Sequence, residues 1–169
     1  YTTPIGQVVM KRRWNSLSSS WDITKHMVED IEDLKILTYA MSKKHYREKF
    51  ENWERMERIG GDIGLGFPSF GYTGLGSLIS YYAGVENTIY MVYDEPELFE
   101  EYIETYNGKM LEMVDIASQG PAPHYFFTDN LSSDLQPPDL FRQYSFKQYK
   151  AIADKLHAAG KTVSAHVDG

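Results

Sequence analysis

His124-Tyr125-Phe126-Phe127-Thr128-Asp129, then Phe146 to Ala159, then Thr162-Val163-Ser164-Ala165-His166-Val167 carry the architecture of this chain. The first and last runs are short and rich in aromatic and β-branched residues, which suits strands. The middle run places Phe146, Tyr149, Ile152, Ala153 and Leu156 on one side at helical spacing and stops at Gly160. A strand, a helix and a second strand in that order pair in parallel, because only a crossover returns the chain to the same end of a sheet. By composition the last run is buried on both faces.

Working upstream, Asp62-Ile63-Gly64-Leu65-Gly66-Phe67 is expected as a third buried strand. It runs into the glycine- and aromatic-rich loop Pro68 to Gly74, and a helix is expected around Leu75 to Ala83. Thr88 to Tyr93 suits either a strand or a helix. Pro96 to Ser118 predicts a long helix, with Pro96 as its first residue and Phe99, Ile103, Tyr106, Met110, Met113 and Ala117 along one face. Two earlier helices are expected. One is capped by Asp30 and marked by Ile31, Leu34, Leu37 and Met41, and the other spans Tyr46 to Ile59 before Gly60-Gly61. Residues 1–22, broken at Pro4-Ile5-Gly6 and at the polar turn Ser16 to Ser20, form an N-terminal arm or hairpin; residues 23–169 form an α/β body.

The chain has 169 residues, with 24 acidic against 17 basic side chains, so its formal charge is −7. That balance argues against nucleic acid, whose phosphates call for a basic stripe. Zero cysteines exclude disulfides, thiolate-bound zinc, iron–sulfur clusters and thiol nucleophiles from these residues. No run is apolar enough to span a bilayer and no leader opens the chain, so a cytoplasmic protein with a small-molecule partner is expected. The chain opens at Tyr1 and stops just after an apolar run, and reads as a piece of a longer protein. Three strands cannot close a barrel, which takes eight strands and about 250 residues.

Several motifs, in order, resemble the uroporphyrinogen decarboxylase superfamily. Phe67-Pro68-Ser69-Phe70-Gly71-Tyr72-Thr73 followed by Ile79-Ser80-Tyr81-Tyr82-Ala83-Gly84 is similar to that family's phenylalanine–glycine–threonine loop and the helix after it. Met91 to Glu97 resembles its tyrosine-x-x-proline entry into the next long helix. Phe126 to Asn130 with Pro138-Asp139-Leu140-Phe141 resembles the strand, loop and helix start beside its substrate pocket, and Lys161 to Gly169 resembles a histidine-bearing strand of many relatives. The opening Thr3-Pro4-Ile5-Gly6 is similar to the arm of an uncharacterised branch that lies near the corrinoid methyltransferases. The resemblance implies a partial (β/α)8 barrel and makes Thr88 to Tyr93 a helix.

Side chains at the C-terminal ends of barrel strands face the active site. His166 stands there with Asp168 two residues on, sharing its face by period two. Such a pair ligates one metal, or acts as an oriented acid–base pair, or simply braces the barrel rim. Asp129 and Asn130 end the preceding strand, where a carboxylate steers a proton or binds a cation, or closes an Asx-turn. Phe67, Phe70 and Tyr72 are expected at a strand exit as an aromatic wall for a flat or methylated ligand. Tyr93 matches the family's substrate-contacting tyrosine, with helix packing as the rival explanation. His124 opens its strand and reads as structural or solvent-facing. The glycines from Gly64 to Gly76 lack the Gly-Lys-Ser/Thr of a phosphate cradle and read as turns.

The resemblance implies three functions: methyl transfer to or from a corrinoid or thiol carrier, assisted by zinc and a corrinoid protein; cofactor-free decarboxylation of a tetrapyrrole; or a non-catalytic role. The second calls for arginines facing the substrate's acids. Asp168 stands where the methyltransferase branch carries its first zinc cysteine. The basic Lys11-Arg12-Arg13 of the arm reads as a solvated cluster, or as an arm that reaches a neighbouring subunit in a homodimer.

Overall fold

The computed structural model describes residues 1–64 and 66–168. The chain is mixed α/β, with 52% helix against 19% strand, and the described residues form small sheets and no closed barrel. It divides into two compact units, Tyr1–Lys44 with Gly74–Tyr106, and His45–Thr73 with the residues from Asn107 onward.

The first unit opens with two antiparallel pairs, β1 (Thr2–Thr3) with β2 (Gly6–Gln7), and β3 (Lys11–Asn15) with β4 (Ser20–Lys25). Trp14 faces Trp21 across the second pair, with ring centroids 5.6 Å apart. Helix α1 (Ile31–Ser42) starts where expected, because the Asp30 carboxylate accepts the Asp33 N–H at 2.9 Å. Leu34, Leu37 and Met41 are its buried stripe. The short α3 (Gly74–Ser77) widens into a π-helical turn, Leu78–Tyr82, and α4 (Gly84–Asp94) follows. Thr88 to Tyr93 is therefore helix, as the resemblance implies. The long helix α5 (Pro96–Gln119) starts in this unit, where Phe99 and Tyr102 are fully buried, and continues into the second. At 24 residues it is the longest, yet no described helix is long and apolar enough to cross a membrane.

The second unit holds α2 (Glu51–Gly60) and a three-stranded sheet in the order β5 (Ser69–Gly71), β6 (His124–Leu131), β7 (Thr162–Val167). Both pairings are parallel. Pro138–Leu140 and a π-helical turn, Phe141–Ser145, lead into the last helix, which runs from Phe146 to Ala158 and is here called α6. Ile152 and Leu156 of α6 are fully buried, and Tyr149 of α6 meets Phe127 of β6 edge-on at 5.0 Å.

Two boundaries differ from expectation. None of the described residues from Asp62 to Phe67 is in a strand: Ile63 is 93% exposed, and pairing begins only at Ser69, opposite Phe126. Leu65, within that expected strand, and Gly169, which ends the resembling motif, lie outside the described residues. Helix α2 begins at Glu51 rather than Tyr46. The Phe50 ring lies so close to the Gly120 backbone that a Cβ at position 120 would sit 2.6 Å from its Cε1. That contact, just ahead of the first helical residue, is a tertiary one that periodicity alone does not report.

Removing the buried end of α6 should expose how much of this unit depends on it. Leu156→Ala is expected to cost about 2–5 kcal/mol in urea unfolding, whereas exposed Lys150→Ala should cost about 0.5 kcal/mol or less.

Candidate functional site

Parallel pairing gives the sheet two ends and two faces of different chemistry. Along β6, Tyr125, Phe127 and Asp129 are buried, while His124, Phe126 and Asn130 are only half-buried. The buried set faces the helices. Phe70 of β5 joins it, stacked on Tyr125 at 4.8 Å with the rings 8° apart. The other face carries Thr162, Ser164 and His166 of β7, all exposed.

His166 stands on this open face at the carboxyl end of its strand. Its Nδ1 lies 3.0 Å from Asn130 Oδ1 and 3.5 Å from Asp168 Oδ1. Both oxygens are acceptors, so Nδ1 carries the proton and Nε2 is left as the outward, lone-pair-bearing nitrogen of the neutral ring. The register explains how Asn130 reaches it. Between the pairs Phe127↔Ala165 and Leu131↔Val167 the strand β6 holds two more residues than β7, so it bulges. Asn130 takes φ +42° in that bulge, a conformation asparagine tolerates better than most side chains. The Asp168 N–H donates to the Leu131 carbonyl at 2.8 Å, which holds Asp168 beside the imidazole. His166, Asn130 and Asp168 are thus brought together, as their positions at strand ends suggest.

Asp129 is not part of that cluster. Period-two alternation turns it to the helix-covered face, where it is 1% exposed. Its Oδ1 accepts the Thr73 N–H at 2.9 Å, the Thr73 side chain adds a second bond, and its Oδ2 accepts the Tyr149 hydroxyl at 2.5 Å. The carboxylate is a buried tie between β6, α6 and the end of the β5 loop, not an exposed proton-transfer group. Burial pushes its pKa above the ordinary 3.8, against the lowering effect of those hydrogen bonds. Burial and the nearby Asp129 charge push the Tyr149 hydroxyl upward as well.

The expected aromatic wall also divides. Phe67 lies two residues ahead of β5 and packs on His124 at 5.7 Å and Phe126 at 5.5 Å, toward the start of the sheet rather than its exit. Phe70 faces the helices, and Tyr72 is half-buried in the loop after β5. The turn there uses Gly71 at φ +79°, with its N–H donating to Ser69 Oγ at 3.0 Å. Tyr93 lies on α4 in the other unit and is 73% exposed, so helix packing does not account for it. His124 is structural: its Nδ1 lies 2.7 Å from Thr162 Oγ1 and its Nε2 2.9 Å from Ser164 Oγ.

Sequence reading missed Thr73 and Tyr149 as partners of Asp129, because they lie 56 and 20 residues away. It also missed the bridge from His124 to β7. That bridge had a signal, since both strands place hydroxyl or imidazole groups at alternate positions. No family model, curated protein or solved structure matches the chain.

Folding favours the protonated form of Asp129, so its contribution to stability is full below the unfolded carboxylate pKa and is lost as pH rises through the raised folded value. Urea unfolding from pH 4 to pH 8 is expected to show this fall. Asp129→Asn, a neutral mimic of the protonated acid, should flatten it. Asp129→Ala strands the Thr73 N–H and the Tyr149 hydroxyl and should cost about 1–3 kcal/mol.

Proposed function

We propose that this chain is part of a (β/α)8 barrel of the uroporphyrinogen decarboxylase superfamily, and that it belongs to a cytoplasmic enzyme transferring a methyl group to or from a corrinoid or thiol carrier. The observation that carries the proposal is the cluster of His166, Asn130 and Asp168 at the carboxyl edge of a parallel sheet. Open α/β sheets and barrels place their ligand sites at that edge. The family motifs supply the reaction, and the edge supplies its place.

The residues present suit one role toward zinc. His166 would offer Nε2 as a single imidazole ligand, while Asn130 and Asp168 hold its Nδ1–H in the manner of outer-shell partners of metal-bound histidines. Among the described residues no three His, Asp or Glu side chains gather as a ligand group, so further donors are required. When bound, the metal supplies Lewis-acid activation of a thiol or methyl donor. The chain's own part is to orient the imidazole: Asp168 and Asn130 fix its tautomer and plane, and Phe126, with its ring centroid 6.4 Å from that of His166, flanks it.

The same geometry supports a second reading. An imidazole with Nδ1 held and Nε2 free is an oriented proton donor once protonated, with Asp168 stabilising the charge. Decarboxylation needs such a donor to protonate the carbon that loses carbon dioxide.

Methylcobalamin with a small thiol tests the first reading, since methyl transfer yields a methyl thioether and cob(I)alamin, which is followed by absorbance. His166→Ala should lower that rate by about a hundredfold or more and strip zinc from the purified protein. Release of carbon dioxide from uroporphyrinogen, with no methyl transfer and no zinc, would favour decarboxylation. Neither activity would leave the non-catalytic role.

A further inference from the structure

Behind the sheet, on the helix-covered face and away from His166, lies an open pocket of about 420 Å³ lined by residues of the second unit alone. Small-molecule sites occupy roughly 300–1,000 Å³, so its size is that of a bound metabolite. Its walls are aromatic and soft. Phe70 and Tyr125, stacked on each other, line the pocket together with Trp53 and Met56 of α2 and Met113 and Ile116 of α5. The Tyr125 hydroxyl donates to the Ala117 carbonyl at 2.7 Å, and Trp53, Phe70 and Tyr125 are each less than a tenth exposed.

Arg47 and Lys49 lie at the border of the pocket against the single acid Glu48. A third cation lies near Tyr125: Lys161 is 9% exposed, with its Nζ 6.0 Å from the Tyr125 ring centroid. That ammonium donates to the Gly120 and Ala122 carbonyls at 2.6 and 2.8 Å, and among the described residues no carboxylate pairs with it. In a chain of net charge −7, the two cations Arg47 and Lys49 against the one acid Glu48 give the lining of this apolar pocket a net positive charge. An apolar pocket with stacked rings selects a flat, aromatic body, and the net positive lining selects a negative charge on it.

We propose that this cavity is a second ligand site, separate from the one at the sheet edge, and that it binds a flat aromatic anion such as an aryl carboxylate or sulfonate. The ring system slides between Trp53 and the Phe70–Tyr125 stack, and its acid group stays at the mouth with Arg47 and Lys49. This site does not depend on the methyl-transfer reading.

Two probes of similar shape separate the apolar and electrostatic contributions: 8-anilino-1-naphthalenesulfonate, which is anionic, and N-phenyl-1-naphthylamine, which is neutral. Titration calorimetry and quenching of Trp53, with Trp14 and Trp21 replaced by Phe, are expected to show one anionic probe per chain. The exposed double substitution Arg47→Ala with Lys49→Ala should weaken the anionic probe by about tenfold, from two partly screened charges, and leave the neutral one nearly unchanged. Ala117→Phe, which grows a ring into the cavity, should abolish binding of both, with circular dichroism confirming that the variant is folded. Should Ala117→Phe fail to fold, Met113→Trp serves the same purpose. Equal binding of both probes to all variants, more than one probe per chain, or no binding would overturn the proposal.

Discussion

The parallel pairing of β6 with β7 is the constraint on which the rest of the second unit depends. It is set by five matched residue pairs, from His124↔Thr162 to Leu131↔Val167, with the bulge between the last two. Because side chains alternate across a strand, this register assigns every residue of both strands to a face. A slip of one position would send Tyr125, Phe127 and Asp129 into water and bury His124 and Asn130. Each face is braced in its own way. His124 bridges two hydroxyls of β7 on the open side, and Phe127 packs against Tyr149 on the covered side.

Asp129 shows how a buried charge group is accommodated when it cannot be avoided. Desolvation disfavours its ionised form, but its two oxygens meet the Thr73 N–H and the Tyr149 hydroxyl, so neither the acid nor its donors are left unpaired. The three groups come from the end of the β5 loop, from β6 and from α6. A carboxylate expected at the strand end as a proton-steering or cation-binding group, or as an Asx-turn, thus serves as an internal fastener, and the bulge just after it turns Asn130 to the opposite side, toward His166. One residue's difference in position separates a structural role from membership of the candidate site.

The division of the aromatic residues follows the same rule. Phe67, Phe70 and Tyr72 are close in sequence, yet Phe67 packs on the open face with Phe126, and Phe70 stacks on Tyr125 behind the sheet. Clustering in sequence does not imply a shared wall in a strand and its loops, where neighbours point apart. What remains on the open face at the carboxyl edge is a small polar group, and what gathers behind it is an open, largely apolar pocket with Arg47, Glu48 and Lys49 among its lining.

Much of this was legible in the residues themselves. Capping by Asp30, the stripe of Leu34, Leu37 and Met41, the proline start of α5 and the glycine stop after α6 are local signals, and local hydrogen bonding and periodicity suffice to place those elements. The run from Thr162 to Val167 is a strand and His166 stands near its end, but it is not buried on both faces as its composition suggests: Thr162, Ser164, His166 and Val167 are exposed and Val163 and Ala165 only half-buried. Other features had no local signal. The strand expected at Asp62 to Phe67 does not form among its described residues, because pairing depends on where β6 lies and not on hydrophobic content. Helix α2 starts only at Glu51, with the preceding Phe50 ring seated against Gly120, seventy residues away in the chain. The side of the sheet that Asp129 faces, its partners Thr73 and Tyr149, and the bulge that aims Asn130 all follow from register between distant strands. Propensity and periodicity act over a few residues and were enough for the elements; the faces, the ties and the cavity are set by long-range pairing, and only the tertiary structure decides them.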